Sequence, residues 1–136
     1  MSDDVLRIAG ILLILVPTVA FGGETILRMV YLTDDPYLRN PLRRRMWTAG
    51  HAHAGVLLIL SLVALLYVDA AALSGGLRAI VRSAIPASAI FVPAAFFLSV
   101  LPRDTERPNG VIYLAYVGFA ALTLGLVVLG VGLLRA

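Results

Sequence analysis

The stretch WTAGHAHAGVLLILSLVALLYV, Trp47 to Val68, is twenty-two residues long and carries no Asp, Glu, Lys or Arg. As a helix it would extend about 33 Å, enough to cross the roughly 30 Å hydrocarbon layer of a bilayer. Trp47 and Tyr67 near its ends suit the two headgroup layers. Near its start stand His51 and His53, the only histidines in the chain. The sequence contains no Cys and no Lys. These two imidazoles are therefore nearly the whole stock of nitrogen ligands for a transition metal.

Working outward, three more apolar segments appear. One runs from about Val5 to Val30, one from about Arg78 to Leu101 and one from Val111 to about Leu134. The composition agrees: 60% of the 136 residues are hydrophobic and 14% charged, against roughly a quarter charged in soluble proteins. A core of this size cannot bury so much apolar surface, so lipid must cover the rest. The expected fold is all-α: a single four-helix transmembrane domain over residues 1–136, multi-pass in the cell membrane and oligomeric, with sites between subunits. The acidic leader Asp3-Asp4 suits a helix N-terminus and not a cleaved signal peptide. The net charge of +3 rests wholly on arginine at segment ends, so no nucleic-acid partner is implied.

The polar connections refine this picture. Thr33 to Met46 contains Asp34-Asp35-Pro36, Pro41 and Arg43-Arg44-Arg45, and its prolines argue against continuous helix. The arginine triplet is read as a topology anchor among headgroups, or as a binder of an anionic ligand group. Ser74-Gly75-Gly76 reads as a turn. The second loop, Pro102 to Gly110, carries Arg103, Asp104, Glu106 and Arg107. The arginine bias places both of these loops in the cytoplasm and the termini outside. Pro17 is expected to kink the first span. In the last span Gly118, Gly125 and Gly132 recur every seven residues, a seam on which another helix, of this chain or another, can pack closely.

Residues two apart on a helix differ by about 200°, so His51 and His53 point to opposite faces and cannot share one ion. What remains is one axial histidine to a haem, a site shared between subunits, or an interface histidine bonded to a backbone carbonyl. Ala49 and Gly50, one turn before His53, leave room for a flat macrocycle. Arg45, about 12 Å from His53 along the axis, can meet a propionate, and Arg44 is its neighbour. Glu24 and Arg28 lie four apart on one face. Glu24 either pairs with Arg28 near the interface or faces a cavity or a neighbouring subunit. Tyr113 and Tyr116 either pack or supply a hydroxyl.

Ala52-His53-Ala54-Gly55 resembles the head of the histidine helix in the styrene oxide isomerase family, small four-span membrane proteins. Gly22-Gly23-Glu24 resembles a Gly-Gly-Phe-Glu stretch there, and Ala95-Phe96-Phe97-Leu98-Ser99 a Gly-Phe-Tyr-Leu-Phe-Ser stretch. A proline-containing polar loop precedes the histidine helix, and Asn109-Gly110 opens span four. The resemblance implies a homotrimer with haem b between subunits, His53 as its iron ligand, and a redox-neutral Lewis-acid conversion of epoxide to aldehyde. Three polar positions of the family are apolar here: Ile59, Phe97 and Ala89. The expected ligand is thus kept while polar groups around a substrate are missing, which leaves room for a non-catalytic relative binding haem or a small apolar ligand. The alternative reading is an accessory subunit of a larger membrane complex, docked through the glycine seam. A transporter is a third and weaker fit, since four spans without a repeat need oligomerisation to form a pathway.

Overall fold

A computed structural model describes residues 1–102 and 104–136, so the Arg103 contribution to loop charge lies outside the described residues. Helix α1 spans Asp3–Leu27 and continues into a π-helical turn, Arg28–Leu32; α2 spans Pro41–Val68, α3 Gly75–Leu98, and α4 Leu114–Leu134 after a 3-10 turn at Gly110–Tyr113. No strand occurs among the described residues. All four helices are long and apolar enough to cross a membrane. Large apolar side chains such as Ile14 and Phe21 stand more than 70% exposed, which suits a lipid surrounding.

Two helix starts differ from the sequence expectation. The polar connection after span one is shorter than expected, because α2 begins at Pro41 and carries the arginine triplet in its first turns. Asn40 is the N-cap; its side-chain oxygen accepts from the amides of Leu42 and Arg43, and Pro41 takes the first helical position, where its missing N–H costs nothing. Likewise Gly75-Gly76 is the first turn of α3 and not a separate turn, because the Ser74 hydroxyl accepts from the Leu77 amide. Asn109 caps the last segment the same way, accepting from Val111. Pro17 lies inside α1, and Pro86 and Pro93 inside α3, without ending either helix.

Helices adjacent in sequence pack side by side. The α3–α4 seam is the tightest. A Cβ at Gly118 would come within 2.6 Å of Val92 Cγ2, one at Gly125 within 2.5 Å of Ile85 Cγ1, and one at Gly132 within 2.6 Å of Leu73 Cδ2. The glycine seam is therefore occupied by the chain's own α3 and the loop before it. The expectation of a docking face for another subunit on this seam is corrected accordingly. By contrast α1 leans chiefly on α2 and buries only Val5 and Leu12, whereas α2 buries eight residues. The largest apolar cluster, with Val5, Leu65, Val68, Val81, Ile85 and Leu129, lies at the end that holds both termini. The histidines lie toward the other end.

At the terminal end Asp69, which caps α2, accepts from the Ser2 amide and hydroxyl. The Ser2 backbone bond holds its carboxyl below the ordinary value of 3.8, helped by the Ser2 hydroxyl and Arg78 and opposed by desolvation. A depressed carboxylate contributes stability that is complete above 3.8 and is lost as pH falls through its folded value. Amide exchange at Val5 and Leu6 should therefore be slower in wild type than in Asp69→Asn at neutral pH. That gap should close below pH 3.8; a gap that persists in acid would contradict the assignment.

Candidate functional site

His53 and His51 part as the helical repeat requires. The His53 ring lies near-parallel to Phe96 of α3, 5.0 Å between centroids, and edge-on to Phe119 of α4 at 6.0 Å. His51 turns the other way, against α1: a Cβ at Gly23 would lie 2.7 Å from its Nε2, and one at Gly22 3.7 Å from its Nδ1. Gly22-Gly23 thus exist as a seat for this imidazole.

The His53 Nδ1 lies 2.8 Å from the Ala49 carbonyl oxygen. A carbonyl can only accept, so Nδ1 carries the proton and donates. In the neutral ring that leaves the Nε2 lone pair unused, and Nε2 has no hydrogen-bond partner among the described residues. This is the bond expected of an interface histidine held by a backbone carbonyl, and it is also the tautomer that metal-bound histidines adopt. The ring is half-buried between aromatic walls, so its orientation is held and its surroundings are apolar.

The other expected residues distribute unevenly. Ala49 serves through its carbonyl. Gly50 is buried, and the space beside it is filled: a Cβ there would sit 2.9 Å from Phe96 Cβ and 3.2 Å from the Phe97 ring. Within one chain, then, Gly50 lets α3 approach and leaves no open slot for a macrocycle. Arg44 and Arg45 are exposed, and their side chains make no ion pair among the described residues. At about 100° per residue Arg44 faces away from His53, while Arg45 lies roughly 80° from it. Helical phase therefore favours Arg45 over Arg44 for any group held at His53.

Glu24 and Arg28 are paired at 3.8 Å and both more than half exposed, the bland arrangement of the two considered. Tyr113 and Tyr116 stack on each other with centroids 6.1 Å apart and stand about 70% exposed. Neither tyrosine contacts the His53 ring as Phe119 does. Ile59 faces outward, and Phe97 packs against Trp47. Among the described residues no three His, Asp or Glu side chains converge as a metal cage.

Two further features were not legible in sequence. Arg43 is not a headgroup anchor but is 1% exposed. Its Nε donates to the Val100 carbonyl at 3.0 Å and its Nη1 to that of Tyr37 at 2.6 Å, while Nη2 reaches the Pro102 carbonyl. The guanidinium also lies 4.1 Å from the Tyr37 ring centre. Trp47 packs edge-on to Tyr37 and Phe97, with its indole nitrogen buried. The second feature is an apolar cleft of about 510 Å³ between α1 and α3, floored by Ala54 and Leu58; neither histidine lines it.

No family model, no curated protein and no solved structure matches the chain.

Proposed function

We propose that this chain is an integral haem b protein of the cell membrane, in which His53 would hold the iron and copies of the chain would share the haem. The observation that carries the reading is the Nδ1–H to Ala49 carbonyl bond, which leaves Nε2 with a lone pair in an apolar, aromatic-walled setting. The residues fit such a group in donor chemistry: one neutral imidazole nitrogen for iron and one unpaired arginine, Arg45, for a propionate. The filled space at Gly50 favours a group lying outside the single chain, against the exposed flank of His53, which a second copy would complete.

A haem with one protein ligand supplies an open coordination position, suited to a small ligand or to polarising an epoxide oxygen. Around it this chain offers the apolar rings of Phe96 and Phe119, and the tyrosines expected as hydroxyl donors, Tyr113 and Tyr116, stack on each other instead. That favours binding of an apolar small molecule over acid–base chemistry, with epoxide-to-aldehyde isomerisation as the reaction to test. The accessory-subunit alternative would have to dock through a face other than the glycine seam.

The test is spectroscopic. Protein expressed with ample haem and purified in detergent should show a Soret band. The band should vanish in His53→Ala and persist in His51→Ala, since His51 faces α1. A colourless wild-type protein, or a band that survives His53→Ala, overturns the assignment. With haem bound, aldehyde formation from aryl and alkyl epoxides separates an isomerase from a binding protein.

A further inference from the structure

The cleft between α1 and α3 grades from charged to apolar along its length. Leu12 and Val19 of α1 face Pro86 and Ile90 of α3 across it. At its mouth Arg82 and Ser83 also line a smaller recess with Asp4 and Arg7. The Arg82 side chain is 18% exposed and pairs with Asp4 at 3.0 Å; Arg7 makes no ion pair among the described residues. Of the charged residues that line the recess two are arginines and one an aspartate; Asp3, one helical turn before Arg7, does not line it.

Its length selects an occupant. From Ile8 to Val19 is about 16 Å of helix, close to half of the roughly 30 Å hydrocarbon layer. The cleft thus runs from headgroup depth to about mid-bilayer. A helix is roughly 10 Å across, wide for a cleft of about 510 Å³ drawn out over that length. A single acyl chain is far thinner, and a phosphodiester supplies a negative charge for the two arginines at the mouth.

We infer that the α1–α3 cleft binds one phospholipid, its phosphate at Arg7 and Arg82 and one acyl chain along the cleft. The phosphate competes with Asp4 for Arg82, through charge-assisted bonds of the guanidinium. A bound lipid of this kind fills the gap that α1 leaves by leaning on α2, and so holds α1 to the bundle.

The experiment is native mass spectrometry of the full-length protein in detergent, with added phosphatidylglycerol or with diacylglycerol of the same chains. One phosphatidylglycerol per chain should be retained, and diacylglycerol about tenfold less. Asp4→Asn should raise retention by freeing Arg82, whereas a purely structural role for the Asp4–Arg82 pair predicts a fall. Arg7→Ala with Arg82→Ala should lower retention about tenfold, and Ala87→Trp, which fills the cleft and leaves the charges, should do the same. Equal retention of the two lipids overturns the inference, as does undiminished retention in Ala87→Trp. Retention is expected to be the same in His53→Ala, so failure of the haem reading leaves this result interpretable.

Discussion

Replacing Arg43 by alanine is expected to cost about 3 kcal/mol or more of stability, the largest effect of any single substitution considered. The side chain is fully enclosed and satisfies three carbonyls, those of Tyr37, Val100 and Pro102. Among the described residues no carboxylate pairs with it directly, although Asp35 and Asp104 line the same recess; its contacts are to backbone carbonyls and the Tyr37 ring. Removing it strands buried acceptors and leaves a hole beside Trp47, whose indole nitrogen is already without a partner. Arg43→Lys should recover only part of the loss, because an ammonium lacks the planar fork that meets separate carbonyls. Denaturation in mixed detergent micelles, with proteolysis of the 99–109 loop as a local probe, measures both. An Arg43→Ala protein that unfolds with the wild type would show that the latch is ornamental.

Gly118→Val is the second large effect, expected to destabilise by about 1–3 kcal/mol through overpacking. The Cβ alone would lie 2.6 Å from Val92 Cγ2 and 3.1 Å from the Val92 backbone nitrogen, and backbone cannot move aside as a side-chain tip can. The helices must separate, and Phe119, next in sequence, is carried away from His53. Gly130→Ala is the matched control. Nothing lies within 4 Å of its Cβ, so reduced unfolded-state freedom should leave it neutral or stabilising by about 0.4–1 kcal/mol. The same unfolding assay ranks the pair, and equal effects at the two glycines would refute the close-packing account.

How much of this was legible in the residues follows from range. The four spans are local properties of length and polarity, and four helices long and apolar enough to cross a membrane are present. The divergence of His51 and His53 follows from the helical repeat alone. The spacing of Gly118, Gly125 and Gly132 marked a close approach, but the partner, α3, depends on tertiary arrangement. Arg43, Arg44 and Arg45 are chemically identical and adjacent. Burial of the first and exposure of the other two depend on carbonyls at residues 100 and 102, which no local pattern announces. The early start of α2 was legible in principle: Asn40-Pro41 is a cap followed by a favoured first residue, and the prolines nearby masked it. The aromatic walls of His53 come from two helices distant in sequence. Only Phe96 lay in a stretch already singled out, and Phe119 had no signal of its own.

The loose seating of α1 has a consequence for membrane thickness. Between Arg7 and Glu24 that helix offers sixteen uncharged residues, Ile8 to Gly23, or about 24 Å. Its neighbour α2 offers twenty-three, Met46 to Val68, or about 34 Å. Because Gly22-Gly23 lie against His51, the Glu24–Arg28 pair sits near the level of that imidazole, about 9 Å along α2 from Arg45. A bilayer near 30 Å would match the α2 flank and exceed the uncharged stretch of α1, a mismatch that local thinning or snorkelling of Glu24 and Arg28 would take up. Such thinning would bring headgroups to the His51 side of α2, while the His53 side is walled by Phe96 and Phe119.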